Sequence, residues 1–195
     1  MSKYLKAGVQ TLRSIRDQAD KEPNPLHAAM LRNYYRHVAL EVTGCWDRFV
    51  KDDSMMVEHP VYNIRMGEET RVLDGVGGVS EFYTELDDSM FFMVDHRTAV
   101  DDWGVASLIT SVQIATGEFL RGQGLEVEKP EAVYALEDIT LAQFWRYDNR
   151  ARLEGEDLYA AAPHKRIVEI PPGEVFTKAD LRAAFEEFFE PIPAL

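Results

Sequence analysis

Phe91-Phe92-Met93-Val94-Asp95-His96-Arg97-Thr98-Ala99-Val100-Asp101 runs into Asp102-Trp103-Gly104 and then into the stretch Val105 to Thr116. From Met90 onward the spacing of apolar residues changes from the three-and-four step of a helix to the alternation of a strand, in which successive side chains face opposite sides. Asp102-Trp103-Gly104 supplies the turn residues between two such runs. The same reading extends down the chain. Ala132 to Tyr147 and Leu153 to Ala161 are strand-like and separated by Asp148-Asn149, whereas Gly122 to Pro130 reads as a loop.

Upstream the pattern is helical. Tyr4 to Ala19 is helix-like until Lys21-Glu22-Pro23-Asn24-Pro25 breaks it. Leu31, Tyr35, Val38, Val42, Cys45 and Phe49 then recur at steps of three and four, predicting one inward stripe on a helix or on two helices jointed at Gly44. Val57-Glu58-His59-Pro60-Val61 reads as a short strand, with Pro60 marking an edge or a bulge. Asp74-Gly75 opens a third helix with Val76, Val79, Phe82, Tyr83 and Leu86 on its apolar face. Near the end, Thr177 is placed to cap a helix carrying Leu181, Phe185, Phe188 and Phe189. Helices followed by a run of long antiparallel strands predict an α+β domain, a curved sheet with helices packed on one face around a pocket. The final stretch, Lys165 to Leu195, reads as an appendage whose aromatic helix buries either on the domain or on a second subunit.

Composition narrows the function. The 195 residues suit one generous domain. Lys plus Arg number 21 against 34 Asp plus Glu, a formal charge of −13 that repels phosphate backbones and anionic membranes, so no nucleic-acid or membrane partner is expected. No apolar run approaches the roughly 20 residues of a membrane span, and Met1 to Asp20 lacks the pattern of a secretory signal. A single cysteine, Cys45, excludes an internal disulfide and fits a cytoplasmic location. No Cys or His cluster has zinc spacing, and no phosphate-binding glycine loop is present, so neither a metal nor any other cofactor is expected.

Three stretches resemble a known family. Val57-Glu58-His59-Pro60-Val61, Asp74-Gly75-Val76-Gly77-Gly78-Val79-Ser80-Glu81-Phe82-Tyr83 and Arg152-Leu153-Glu154-Gly155-Glu156-Asp157-Leu158-Tyr159 look like the ketosteroid isomerase and SnoaL-like polyketide cyclase group of the nuclear transport factor 2-like superfamily. Gly117-Glu118-Phe119 with Gly122 sits where that group often carries a Gly-Glu-Phe-x-Gly turn. The resemblance covers roughly residues 26 to 162 and leaves 1–25 and 163–195 as helical extensions of a single domain. It implies a cone-shaped antiparallel sheet around a pocket for a small apolar ligand. Across the superfamily that cone hosts isomerases, cyclases, dehydratases and proteins without catalysis, so the reaction must be argued from the site.

Within this frame His59 is the first candidate, standing where ketosteroid isomerases carry the carboxylate that moves a proton beside a carbonyl. An imidazole suits that task at neutral pH. Tyr35 on the inward stripe, or His37 in a gapped alignment, is the donor expected from the first helix. Gln143 aligns with the family's late-strand acid and can donate through its amide. Tyr62, Trp103, Trp145, Glu156 and Tyr159 complete the expected pocket wall, Glu156 being either a pocket acid or a fold-stabilising partner. His37 and Glu41, four apart, can touch on one helix face. His96 alternates with Phe92, Val94 and Thr98, as a core histidine would. His59 and Gln143 in place of acids argue against steroid isomerisation itself, and Ala160-Ala161-Ala162 stands where cyclases often carry an aspartate. Two functions are therefore expected to compete. One is a cofactor-independent isomerase, dehydratase or cyclase acting by acid–base chemistry on a small apolar carbonyl or hydroxy compound. The other is a non-catalytic binding or assembly protein, with a homodimer formed through Phe185, Phe188 and Phe189.

Overall fold

A computed structural model describes residues 2–86, 90–160 and 166–191. The chain begins with α1 (Lys3–Lys21), capped by the Ser2 hydroxyl, and α2 (Pro25–Val42), where Asn24 caps and Pro25 occupies the first helical turn, in which its missing N–H costs nothing. The expected break at 21–25 is thus the junction of two long helices. A short α3 (Asp47–Val50) follows, hinged at Gly44, whose φ of 68 is the left-handed region glycine occupies freely.

The sheet contains β1 (Val61–Met66), β2 (Glu69–Asp74), β3 (Met90–Asp101), β4 (Gly104–Thr116), β5 (Val133–Tyr147), β6 (Leu153–Ala160) and β7 (Arg166–Glu169). Its order is β2-β1-β6-β5-β4-β3, with β7 pairing the first half of β5. Every pair is antiparallel except β1 with β6. Between β2 and β3 lies α4 (Gly75–Leu86), and α5 (Gly117–Gly122) follows β4. The sheet bends where the register slips, between Met93 and Asp95, between Ser111 and Gln113 and between Arg146 and Tyr147. It is open, and its concave face is covered by α1, α2 and α4.

Several expectations need adjusting. Residues 57–60 are not a strand: the ladder starts at Val61, because Pro60 has no N–H to offer it and its carbonyl instead accepts from Gly75 N at 2.8 Å. The β1–β2 hairpin through Gly67 was not anticipated, nor were α5 and β7. Ala161 and Ala162 lie outside the described residues.

The terminal segment resolves its two alternatives in favour of its own domain. A capping box of Thr177 and Asp180 starts α6 (Lys178–Phe185), and a 3-10 turn, Glu186–Phe188, continues it. Phe185 and Phe188 are buried against α1 and α2. Gly8 of α1 permits this, since a Cβ there would meet the Phe185 ring at 3.0 Å and Phe92 at 3.1 Å. Arg13 and Arg16 clasp Glu187 from α1. The phenylalanine contacts expected between subunits are used within the chain.

Candidate functional site

Alternation along the sheet sends one set of side chains into the cone. Tyr62 and Ile64 of β1, Glu156 and Leu158 of β6, Gln143 and Trp145 of β5, and Val105, Ser107 and Ile109 of β4 are all buried. Four of these nine carry titratable or strongly polar groups, which is unusual for a sheet face packed on helices.

α2 contributes the facing residues. Tyr34, His37 and Glu41 follow one another at three and four residues on the face turned to the sheet. His37 is 1% exposed; its Nε2 lies 3.0 Å from the Tyr83 hydroxyl of α4 and 3.9 Å from Glu41 Oε2. Its ring stacks on Phe49 at 3.6 Å and meets Trp145 edge-on at 4.4 Å. Across the interior, the Gln143 amide donates to Glu156 Oε1 at 2.7 Å. On the other side of Trp145, Tyr34 packs against that indole at 4.7 Å and bonds His96 Nε2 at 2.9 Å and Ser107 Oγ at 3.1 Å.

The electrostatics of this cluster follow from burial. Glu156, 4% exposed, has its carboxyl held well above the usual carboxylate range, first by desolvation and then by the charge of Glu41; the Gln143 amide pulls the other way. Glu41, whose side chain keeps 13% exposure, is pushed up to about 8 by burial. Burial holds the His37 imidazole well below its ordinary value and His96 at about 4. At neutral pH the interior therefore holds two protonated acids and neutral imidazoles. Several polar atoms have no partner in the protein, namely Trp145 Nε1, Tyr147 Oη, Gln143 Oε1 and His96 Nδ1. The Tyr62 hydroxyl approaches that of Tyr83 but finds no partner with hydrogen-bond geometry.

No protein-family model matches the chain, and no curated protein sequence matches it. Solved structures do. A protein from Xanthomonas campestris pv. campestris, provisionally named a polyketide cyclase, is 12% identical with a TM-score of 0.50, over 69% of this chain and 91% of its own. An NTF2-like protein from Anabaena variabilis is 14% identical with a TM-score of 0.51, over 74% and 96%. The fold is that of the nuclear transport factor 2-like superfamily. At such identities the likeness carries the fold and leaves the chemistry to the residues themselves.

Within the NTF2-like cone the structure brings together His37, Tyr62, Gln143, Trp145 and Glu156. It leaves four expected residues outside. His59 has a side chain 70% exposed and bonds Asp74 at 2.9 Å, in an open groove of about 610 Å³ shared with Arg146, Arg152 and Glu154. It points outward because pairing beside β6 stops at Val57, whose N–H donates to Leu153 O at 3.1 Å, and resumes only with β1 at Val61. Tyr35 sits on the opposite side of α2 from the sheet, half-buried against Phe188, because α2 is sandwiched between the sheet and the terminal segment and so has two apolar faces. Trp103 lies in the β3–β4 turn, and Tyr159 is on the outer sheet face, one residue out of phase with Glu156 and Leu158; both are exposed.

Tyr34 is not expected at the site from the sequence and Glu41 only as a neighbour of His37; Tyr83 and Tyr147 are not expected there either. Polar residues at three- and four-residue spacing through the apolar α2 were the available signal for the first two.

Proposed function

We propose that the closed end of the cone binds a small, largely apolar carbonyl or hydroxy compound and moves a proton on it by general acid–base chemistry, without a metal or nucleotide. What supports this reading is a single observation: the buried His37 ring stands 3.9 Å from the part-buried Glu41 carboxyl, in an interior that also holds the buried acid Glu156, and burial favours the neutral form of each. Paired groups whose environments keep one as base and another as acid at the same pH are the requirement for such catalysis. His37 is the base; Glu156, positioned by Gln143, and the Tyr62 and Tyr83 hydroxyls donate to the oxygen that gains charge. An isomerase, a dehydratase and a cyclase all need this step. The aromatic lining of Trp145, Phe49 and Tyr34 suits an apolar body.

The test begins with a panel of small cyclic ketones, enones and hydroxy compounds, screened through quenching of the buried Trp145. For a ligand that turns over, His37→Gln and Glu156→Gln should each lower the rate by roughly 10²–10⁴ with an unchanged circular dichroism spectrum. Full turnover by the folded His37→Gln variant removes the mechanism; tight binding with no turnover favours the carrier function.

We also propose a homodimer, formed not by the terminal phenylalanines but by the outer sheet face. Trp103, Leu108, Phe144 and Tyr159 are exposed there, with Phe144 6.3 Å from Trp103 and 6.1 Å from Tyr159. Sedimentation of Phe144→Glu as a monomer beside a dimeric parent would support it, and a monomeric parent would remove it.

A further inference from the structure

The two buried acids have no counter-ion. Among the described residues no lysine or arginine pairs with Glu41 or Glu156, and the charged groups acting on Glu156 are Glu41 and Asp157, both of its own sign. Buried carboxyls are ordinarily paired with a cation or a metal. Around them stand aromatic rings. Tyr34, Tyr62, Tyr83 and Tyr147 all lie within range of the Glu156 charge, and Trp145, Phe49 and Trp46 complete the surround. Ring faces carry negative charge density and attract cations. Among the described residues the interior is thus doubly electron-rich and has no positive group paired with either acid. It also keeps two fully buried donors, Trp145 Nε1 and Tyr147 Oη, and one acceptor, Gln143 Oε1, without partners.

We propose that the ligand of this site is a small organic ammonium that also bears a hydroxyl or carbonyl oxygen. The cation sits among the rings against one ionised carboxylate, while the oxygen accepts from Trp145 or Tyr147. This rests on the reading of the interior as a binding site and assigns the ligand's charge. One acid ionises to meet the cation; the other, repelled by its neighbour, keeps its proton and remains a donor. Each binding event therefore releases a proton whenever both acids begin protonated.

The probes are choline and its uncharged carbon isostere 3,3-dimethylbutan-1-ol, followed by ligand-observed NMR and Trp145 fluorescence on the full chain. Choline should bind at least about tenfold more tightly than the alcohol, a margin within the range of desolvated cation–π contacts. That preference should collapse in the double variant Glu41→Gln with Glu156→Gln, since either acid alone can still ionise beside the cation; if the double variant does not fold, the proton release of the parent decides. Choline has a fixed charge, so the pH dependence reports the protein. The groups facing the cation are His37, Glu41 and Tyr34 of α2, Tyr62 of β1, Tyr83 of α4, His96 of β3, Tyr147 and Gln143 of β5, and Glu156 of β6; Asp157 lies on the outer face of β6, paired with Arg146. Glu41, pushed up to about 8, ionises as pH rises past neutrality and Glu156 is raised in the same direction, so affinity should rise with pH there. Calorimetry of the parent in buffers of different ionisation enthalpy should show release approaching one proton per choline at pH 6.5.

Equal binding of the isostere, with Trp145 responding to both, overturns the ammonium assignment and leaves the interior site standing. Silence from choline together with binding of uncharged ketones does the same. Silence from every compound overturns both readings. Choline binding retained in the double glutamine variant, or choline binding by the parent without proton release, places the cation on the acidic surface and also overturns the assignment.

Discussion

Asn33 shows how a single buried side chain holds the wall of the site. It is 1% exposed on α2, and its amide donates to Met55 O at 2.7 Å and to Ala151 O at 2.8 Å. It thereby ties the helix carrying His37 and Glu41 to the loop after α3 and to the β5–β6 turn. Asn33→Ala leaves the Ala151 carbonyl without that donor, whereas Met55 O keeps Leu153 N at 2.8 Å, so a loss of roughly 1–3 kcal/mol is expected in urea unfolding. A loss under about 0.5 kcal/mol would mean that water replaces the amide without strain. Gln143 works on charge instead. Its hydrogen bond favours the ionised form of Glu156, so Gln143→Leu should move that carboxyl's titration still higher, as read from its ¹³C shift. An unchanged or lower midpoint would show that the amide does not tune the acid. Asn33 was not read as significant in the sequence, because its importance lies in carbonyls 22 and 118 residues away.

At the scale of elements, the terminal helix and the parallel strand pair decide whether the cone keeps its shape. The Phe185 ring fills the space that Gly8 leaves open, and Phe188 packs beside Tyr35. Phe185→Ala should therefore cost about 3–5 kcal/mol, the range for emptying a core site of that size, measured as a shifted denaturation midpoint with little change in oligomeric state. A negligible effect would return α6 to the status of an appendage. β1 and β6 meet where Gly155 lies against Val61 O; a Cβ there would come within 1.9 Å of that oxygen, which also accepts from Arg146 Nη2 at 2.7 Å. The strands can lie this close because position 155 carries no side chain. The alternation of β3 to β6 was legible in the sequence. The pairing of β1 beside β6 was not, since a parallel pair joins segments about ninety residues apart with no turn between them to announce it.

For the molecule as a whole, the buried acids and imidazoles set a pH profile of stability. Glu41 and Glu156 are raised in the folded state, so the stability they confer is complete below the ordinary carboxylate value and is lost as pH rises toward about 8. His37 and His96 are depressed, so their contribution is complete above about 6.5 and is lost as pH falls, for His96 toward about 4. Between about 4.5 and 6.5 the folded chain holds its two carboxyl protons while the unfolded chain holds two on the histidines, and the slopes cancel. The expected profile is a plateau there, with a fall from about pH 6.5 to 8 that Glu156→Gln makes shallower. Thermal melts across that range check it, and a stability that rises from pH 6.5 to 8 would contradict the neutral-acid interior.

The sequence by itself determined the α+β class, the break at Lys21–Pro25, the cap at Thr177 and the four long strands, while the family resemblance put forward His37, Gln143 and Glu156. Those are local matters, set by the period of the apolar residues, by capping chemistry and by short motifs. Only the tertiary structure decided that His59 faces water, that Tyr34 rather than Tyr35 faces the sheet, and that Glu41 and Glu156 share one interior with no lysine or arginine paired to either among the described residues. Inward and outward are relations between segments distant in the chain: α2 has two apolar faces, and only the packing of the sheet on one and Phe188 on the other tells them apart.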